Sequence, residues 1–300
     1  MTRATASELL IRQRLTALKR ALPRAREGDV TGIHQARVAT RRVREALPLV
    51  ARGAKGRKLA RTVRRVTRAL GPVRELDVAL LTLDEMARHP DVPRGGVAAL
   101  QHVVRHERRL LHQDMVRVLD RTNFDKLTRK AVASARERDE AAAAGPGGAR
   151  RRDPRQLAAA RRRGARRAQA LRAAIDNAAG IYLPDRLHDV RIAVKKLRYT
   201  MEIARELSGS RATARILALK RVQDLLGRMH DFEVLIARTR AAQASAAAPN
   251  LRLSADLDRL VRRLETECRQ LHGRYMAVRP SLIRICDQAL AAARPRDRAA

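Results

Sequence analysis

Residues 34–44 read HQARVATRRVR and residues 188–198 read HDVRIAVKKLR. At an offset of 154, His34, Arg37 and Arg44 coincide with His188, Arg191 and Arg198. Arg41 and Arg42 match Lys195 and Lys196 in charge, and Val38 and Val43 match Ile192 and Leu197 in character. At about 100° per residue, His34, Arg37, Arg41 and Arg44 step by three, four and three and share one helix face. Ala36, Val43, Leu47 and Val50 fall on the other side, where a core would take them. The first line of cations extends over about 15 Å of helix at ~1.5 Å rise per residue. His188, Arg191, Lys195 and Arg198 repeat it, with Val190, Val194, Leu197 and Met201 as the apolar back.

Working outward, a second block recurs in the same order. Leu70-Gly71 and Arg74-Glu75-Leu76-Asp77-Val78 align at an offset of 156 with Leu226-Gly227 and His230-Asp231-Phe232-Glu233-Val234. Two ordered blocks at nearly constant offset predict an internally duplicated protein. The period is helical throughout: Leu59, Val63, Val66 and Leu70 step by four, three and four, while alternating Val/Ile/Thr runs are missing. An all-α chain follows, with helices expected at about 5–22, 30–50, 56–70, 75–88, 96–120, 124–140, 155–178, 184–206, 211–227, 230–243, 251–277 and 280–293. Breaks are expected at Gly71-Pro72, Pro90 to Gly96, Gly145 to Pro154, Ser208-Gly209, Pro249-Asn250 and Pro280. The run AAAAGPGGARRRDP divides the chain into halves 1–144 and 155–300 around a linker at 145–154. Glu75/Asp77 and Asp231/Glu233, following Leu-Gly, read as helix N-terminal caps that pair with Arg.

Charge narrows the function. The 300 residues carry 66 Lys/Arg against 31 Asp/Glu, a formal net charge of +35. It is spread evenly, with 33 basic and 16 acidic residues in 1–150 and 33 and 15 in 151–300. This is not a basic arm on a neutral body, and the expected partner is an anion rich in phosphate. Between Ala46 and Arg74 there is no acid, yet Arg52, Lys55, Arg57, Lys58, Arg61, Arg64, Arg65, Arg68 and Arg74 occur. Like charges at i,i+4 destabilise a helix by a few tenths of a kcal/mol per pair, so an ordinary solvated face would intersperse signs. A bias toward Arg codons explains Arg over Lys but not the exclusion of acids. Arg also chelates phosphate oxygens through two parallel N–H bonds.

HQARVATRRVR and LHDVRIAVKKLRYTMEI, each followed by an LG…(R/H)(E/D)…V segment, resemble the two halves of a CHAD domain, the conserved histidine α-helical domain. The resemblance runs from about Ser7 to Ala291. It implies two helical bundles related by a pseudo-twofold axis around a basic central cavity, which binds inorganic polyphosphate at polyphosphate granules. On that resemblance the cavity is lined by His34, Arg37, Arg41, Arg42, Arg44, Arg61, Arg65 and Arg68 from one half. His188, Arg191, Lys195, Lys196, Arg198, Lys220 and Arg221 line it from the other. His230 stands where the first half has Arg74, and Glu75 and Glu233 replace aspartates that the family's motif leads one to expect. The E-x-E-x-K string of a fused triphosphate-tunnel domain does not occur.

The remaining motifs carry less. His102/His106 and Cys268/His272 have helical i,i+4 spacing but no third metal ligand nearby in sequence, so no metal is expected. Glycine-rich phosphate loops, nucleophile elbows and Ser/His/Asp arrangements do not appear, so neither catalysis nor a cofactor is expected. Two cysteines and the lack of a signal-like or ~20-residue apolar run point to a cytoplasmic protein outside the membrane. The alternative partner is nucleic acid, held non-specifically through its backbone at low salt. With no Trp, three Tyr and two Phe, the chain offers few rings on which bases could stack. Polyphosphate has no bases and needs only spaced cations.

Overall fold

Good helix formers at 3.6-residue spacing give a chain whose regular structure, among the described residues, is entirely helical. The computed structural model describes residues 5–51, 53–143, 154–178, 180–209, 213–244 and 250–292. In order these form α1 (Ala6–Arg26), α2 (Val30–Val50), α3 (Gly53–Met86), α4 (Arg94–Asp120) and α5 (Phe124–Ala143). They continue as α6 (Pro154–Ala178), α7 (Pro184–Ser208), α8 (Ala214–Ala244) and α9 (Leu251–Ala291).

Three expected breaks are absent. Helix α3 runs through Gly71-Pro72, α8 through Gly227, and α9 through Pro280. In α3 the reason lies in the apolar stripe: Leu70, Val73 and Leu76 are fully buried, while Pro72 is exposed. An interior proline costs about 3 kcal/mol, and continuous burial of the apolar side chains before and after it offsets that cost. The same holds in α9, where Tyr275, Leu282 and Cys286 are buried around an exposed Pro280. The capping role expected of Glu75, Asp77, Asp231 and Glu233 is therefore corrected. All four lie in helix interiors, where no orphan N–H groups need a cap.

The residues cluster into two compact units interleaved in the chain. The first takes Met1–Glu75, Arg108–Arg161 and Tyr199–Arg211; the second takes Leu76–Glu107, Arg162–Arg198 and Ala212–Ala300. Helices α3, α4, α6 and α7 each contribute one end to each unit, so both units draw on both halves of the sequence. The stretch 145–153 of the expected linker lies outside the described residues.

In the first unit α1 packs along α2 and α5. Ile11, Leu15 and Leu18 meet Ile33, Val43 and Leu47 in its core. The α1–α2 corner turns at Gly28, whose φ is +84°, and Asp29 caps α2 by accepting from the Gly32 N–H at 2.5 Å. Gly32 lies against α1 itself: a Cβ there would meet Arg24 Cβ at 2.6 Å and Ala25 N at 2.8 Å. This close approach fixes where α2, and its line of cations, begins. Deeper in, the buried Arg14 donates to the Arg42 carbonyl (2.8 Å) and to Glu206 (2.9 Å), tying α1 to α2 and to the end of α7. In the second unit α8 packs on α9, with Leu219, Leu226, Phe232 and Leu235 buried with Leu260, Leu264 and Tyr275.

Candidate anion-binding surfaces

In the first unit α2 turns Ala36, Val43, Leu47 and Val50 into the core. His34 and Arg44 are thereby left exposed and Arg37 and Arg41 half-buried, with Arg42 also exposed beside them. Helix α3 does likewise, burying Leu59, Val63, Val66 and Leu70 while Arg57, Arg61, Arg64, Arg65 and Arg68 stay exposed. The two helices meet at Gly71. A Cβ on that residue would lie 3.0 Å from Nη1 of Arg37, so the missing side chain is what admits the guanidinium. One turn on, Arg74 acts on His34. The His34 pKa is held below the ordinary imidazole value by desolvation of the ring, then by Arg74, Arg41 and Arg37. Cations from two helices thus converge on one ring and disfavour its charged form.

The second unit builds a related surface from α7 and α8. His188, Arg191 and Lys195 are half-buried and Lys196 is exposed, above the buried Val190, Val194 and Leu197. Gly227 again sits beside the second cation, its Cβ position 3.9 Å from Nε of Arg191. His230 occupies the place Arg74 holds in the first unit. Its Nδ1 lies 3.2 Å from Nδ1 of His188, with ring centroids 4.5 Å apart and planes at 52°. Burial, then Arg191, His188 and Lys195, push the His230 pKa down to about 4. That of His188 is lowered by burial, Arg191 and Lys195, against the opposing pull of Asp189 and Asp185.

The other candidates differ in placement. Arg198 is buried, and its Nε donates to Gln223 Oε1 at 3.0 Å, which makes it a tie between α7 and α8. Its counterpart Arg44 is exposed. Lys220 is exposed but carries its own counter-ion, Asp224, at 2.8 Å, and Arg221 beside it is also exposed. Four residues missed at the sequence level complete the arrangement: Gly71, Arg74, Gly227 and His230. The signal was present in the second repeated block, where Leu-Gly reads as a helix boundary when it is a packing notch.

A family model for the CHAD domain matches residues 9–240. The chain belongs to the CHAD domain family. Its fold is similar to that of the CHAD domain from the plant Ricinus communis, at a TM-score of 0.61 and 21% identity over 96% of this chain and 91% of that one. It is also similar to PptA from Streptomyces chartreusis, at a TM-score of 0.56 and 18% identity over 97% and 99% of the two chains. No curated protein matches it.

Elsewhere in this CHAD chain, Cys268 and His272 both lie beside Tyr182. Cys268 is buried and its thiol is pushed up to about 12, chiefly by burial. Tyr182 donates to Glu233 beside it, and His272 packs edge-on against Tyr182 at 5.3 Å. Among the described residues no three His, Cys, Asp or Glu side chains are grouped to hold a metal ion. Among the same residues no helix is long and apolar enough to cross a membrane.

Proposed function

We infer that this CHAD protein binds inorganic polyphosphate on these two surfaces, without turning it over, and associates with polyphosphate granules. The observation that carries the reading is the convergence of Arg37, Arg41 and Arg74 on His34. Clustered like charges raise the free energy of the unliganded protein, and a phosphate chain lowers it again through counterion release and paired N–H···O bonds. The recurrence with His188, His230, Arg191 and Lys195 supports the same reading. Exposed rings, by contrast, are scarce: Phe124, Tyr199, Phe232 and Tyr275 are buried and Tyr182 is half-buried. A single-stranded nucleic acid would find no stacking platform among them.

The test is competition at about 200 mM salt, where non-specific backbone binding has largely weakened. Labelled long-chain polyphosphate is challenged with duplex DNA and with RNA at matched phosphate concentration. Retention of polyphosphate is the expected result. Equal displacement by nucleic acid would give first place to a backbone-only nucleic-acid binder.

Gly71 supplies a sharper local check. Gly71→Ala adds the better helix former in mid-helix, a gain of about 1 kcal/mol, while its methyl displaces the Arg37 guanidinium by a few tenths of an ångström. Thermal stability is expected to hold or rise while polyphosphate affinity falls about five-fold, or ~1 kcal/mol, a partial loss of a charge-assisted contact worth roughly 1.5–3 kcal/mol. Unchanged affinity would remove Arg37 from the site.

A further inference from the structure

The two surfaces differ in the side chain that neighbours the leading histidine, and that difference has a proton in it. In the first unit the neighbour of His34 is Arg74, charged at every accessible pH. In the second the neighbour of His188 is His230, whose charge is conditional. Two Nδ1 atoms 3.2 Å apart accommodate one proton between them, one ring donating N–H and the other accepting with its lone pair. A second proton at that contact would set two N–H groups face to face, so the closed pair carries at most one positive charge. Around it, charge reaches His230 from Arg191, His188 and Lys195, and reaches His188 from Arg191, Lys195, Asp189 and Asp185. Burial, and then the surrounding cations, disfavour the charged form of both rings in the absence of ligand. A phosphate oxygen held by Arg191 and Lys195 reverses this balance. It cancels the local positive potential and offers each Nδ1–H an acceptor, so the rings separate and take protons from the solvent.

We propose that the second unit takes up polyphosphate and protons together through the His188–His230 pair, whereas Arg74 gives the first unit a charge that pH does not alter. This rests on the polyphosphate reading above and adds its regulation: the second surface strengthens as pH falls, with His230 as the proton-dependent binding residue. The internal repeat provides both control substitutions. His230→Arg gives the second surface the first unit's arrangement, and Arg74→His gives the first surface the second's.

The experiment is calorimetric titration of the full chain with long-chain inorganic polyphosphate at pH 7, in buffers of different ionisation enthalpy. Long chains keep few end groups, the only phosphates that titrate near neutrality. The wild type is expected to absorb about one proton or more per bound chain, and its affinity to fall up to ten-fold per pH unit between pH 6 and 8 for each proton absorbed. His230→Arg should absorb fewer protons, show a flatter pH profile and bind more tightly at pH 8. Arg74→His should absorb more and steepen the profile. Because the two variants shift uptake in opposite directions, a folding defect in one does not imitate the pattern. Polyphosphate bound with no proton uptake, or with the same uptake in wild type and both variants, overturns the proposal and leaves polyphosphate binding intact. Absence of polyphosphate binding at every pH overturns the underlying reading, and the proposal with it.

Discussion

Replacing Arg37, Arg41, Arg191 and Lys195 together with alanine is expected to lower polyphosphate affinity on the order of 1000-fold, at about 1 kcal/mol for each lost contact. The slope of log affinity against log salt should flatten by about three, taking the single-strand value of ~0.7 per phosphate contact. Stability should move the other way. Arg37/Arg41 and Arg191/Lys195 are i,i+4 like-charge pairs on α2 and α7, each costing about 0.2–0.5 kcal/mol, and alanine is the better helix former. None of the four belongs to the buried core. The thermal midpoint of the ligand-free variant is thus expected to match or exceed the wild type's, read by circular dichroism beside binding assays. Loss of binding with retained fold identifies these four as contacts. Affinity within about two-fold of wild type would instead mean that the ligand senses only the net charge, as expected for a screened surface field.

The sequence made the helical class and the exposed cations legible for the same reason: both depend on periodicity along one chain. Ala36, Val43 and Leu47, and Val190, Val194 and Leu197, are buried where their spacing places them. What a single helix's pattern does not contain is its neighbour. Gly71 resembles a breaker until α2 is packed against it, when it becomes the opening for Arg37. Arg198 occupies the same register as Arg44, yet Gln223 on α8 draws it into the interior. Arg74 and His230 were visible as aligned residues, but their closeness to His34 and His188 comes from the packing of α3 on α2 and α8 on α7. The interleaved units have the same origin: a helix of 34 residues such as α3 spans about 50 Å, enough for its two ends to join different cores.

Phe232 tests the other side of this division between fold and surface. It lies two residues from His230 on α8, with its ring only 1% exposed and the Arg228 guanidinium 4.3 Å from the ring centroid. At about 100° per residue, two positions place Phe232 on the opposite side of the helix from His230, so it bears on the core and not on the ligand. Phe232→Ala should remove about 3–5 kcal/mol of stability, from the lost transfer of the ring and the cavity left behind. At roughly 2–4 °C per kcal/mol for a folded body of this size, the unfolding midpoint should fall on the order of 10 °C. Phe232→Leu, which keeps more of the volume, should lose less than half as much. Polyphosphate at a hundred times its dissociation constant contributes about 2.7 kcal/mol to the bound state, so it should restore much of the lost midpoint. Affinity measured well below the transition should stay within about two-fold of wild type, since no contact of ~1 kcal/mol is removed. A variant that melts normally would mean that the surrounding side chains close over the vacancy. One that stays folded yet loses binding would mean that α8 needs this anchor to hold His230 and Gly227 against α7, and the separation between core and ligand surface argued from the helical period would fail.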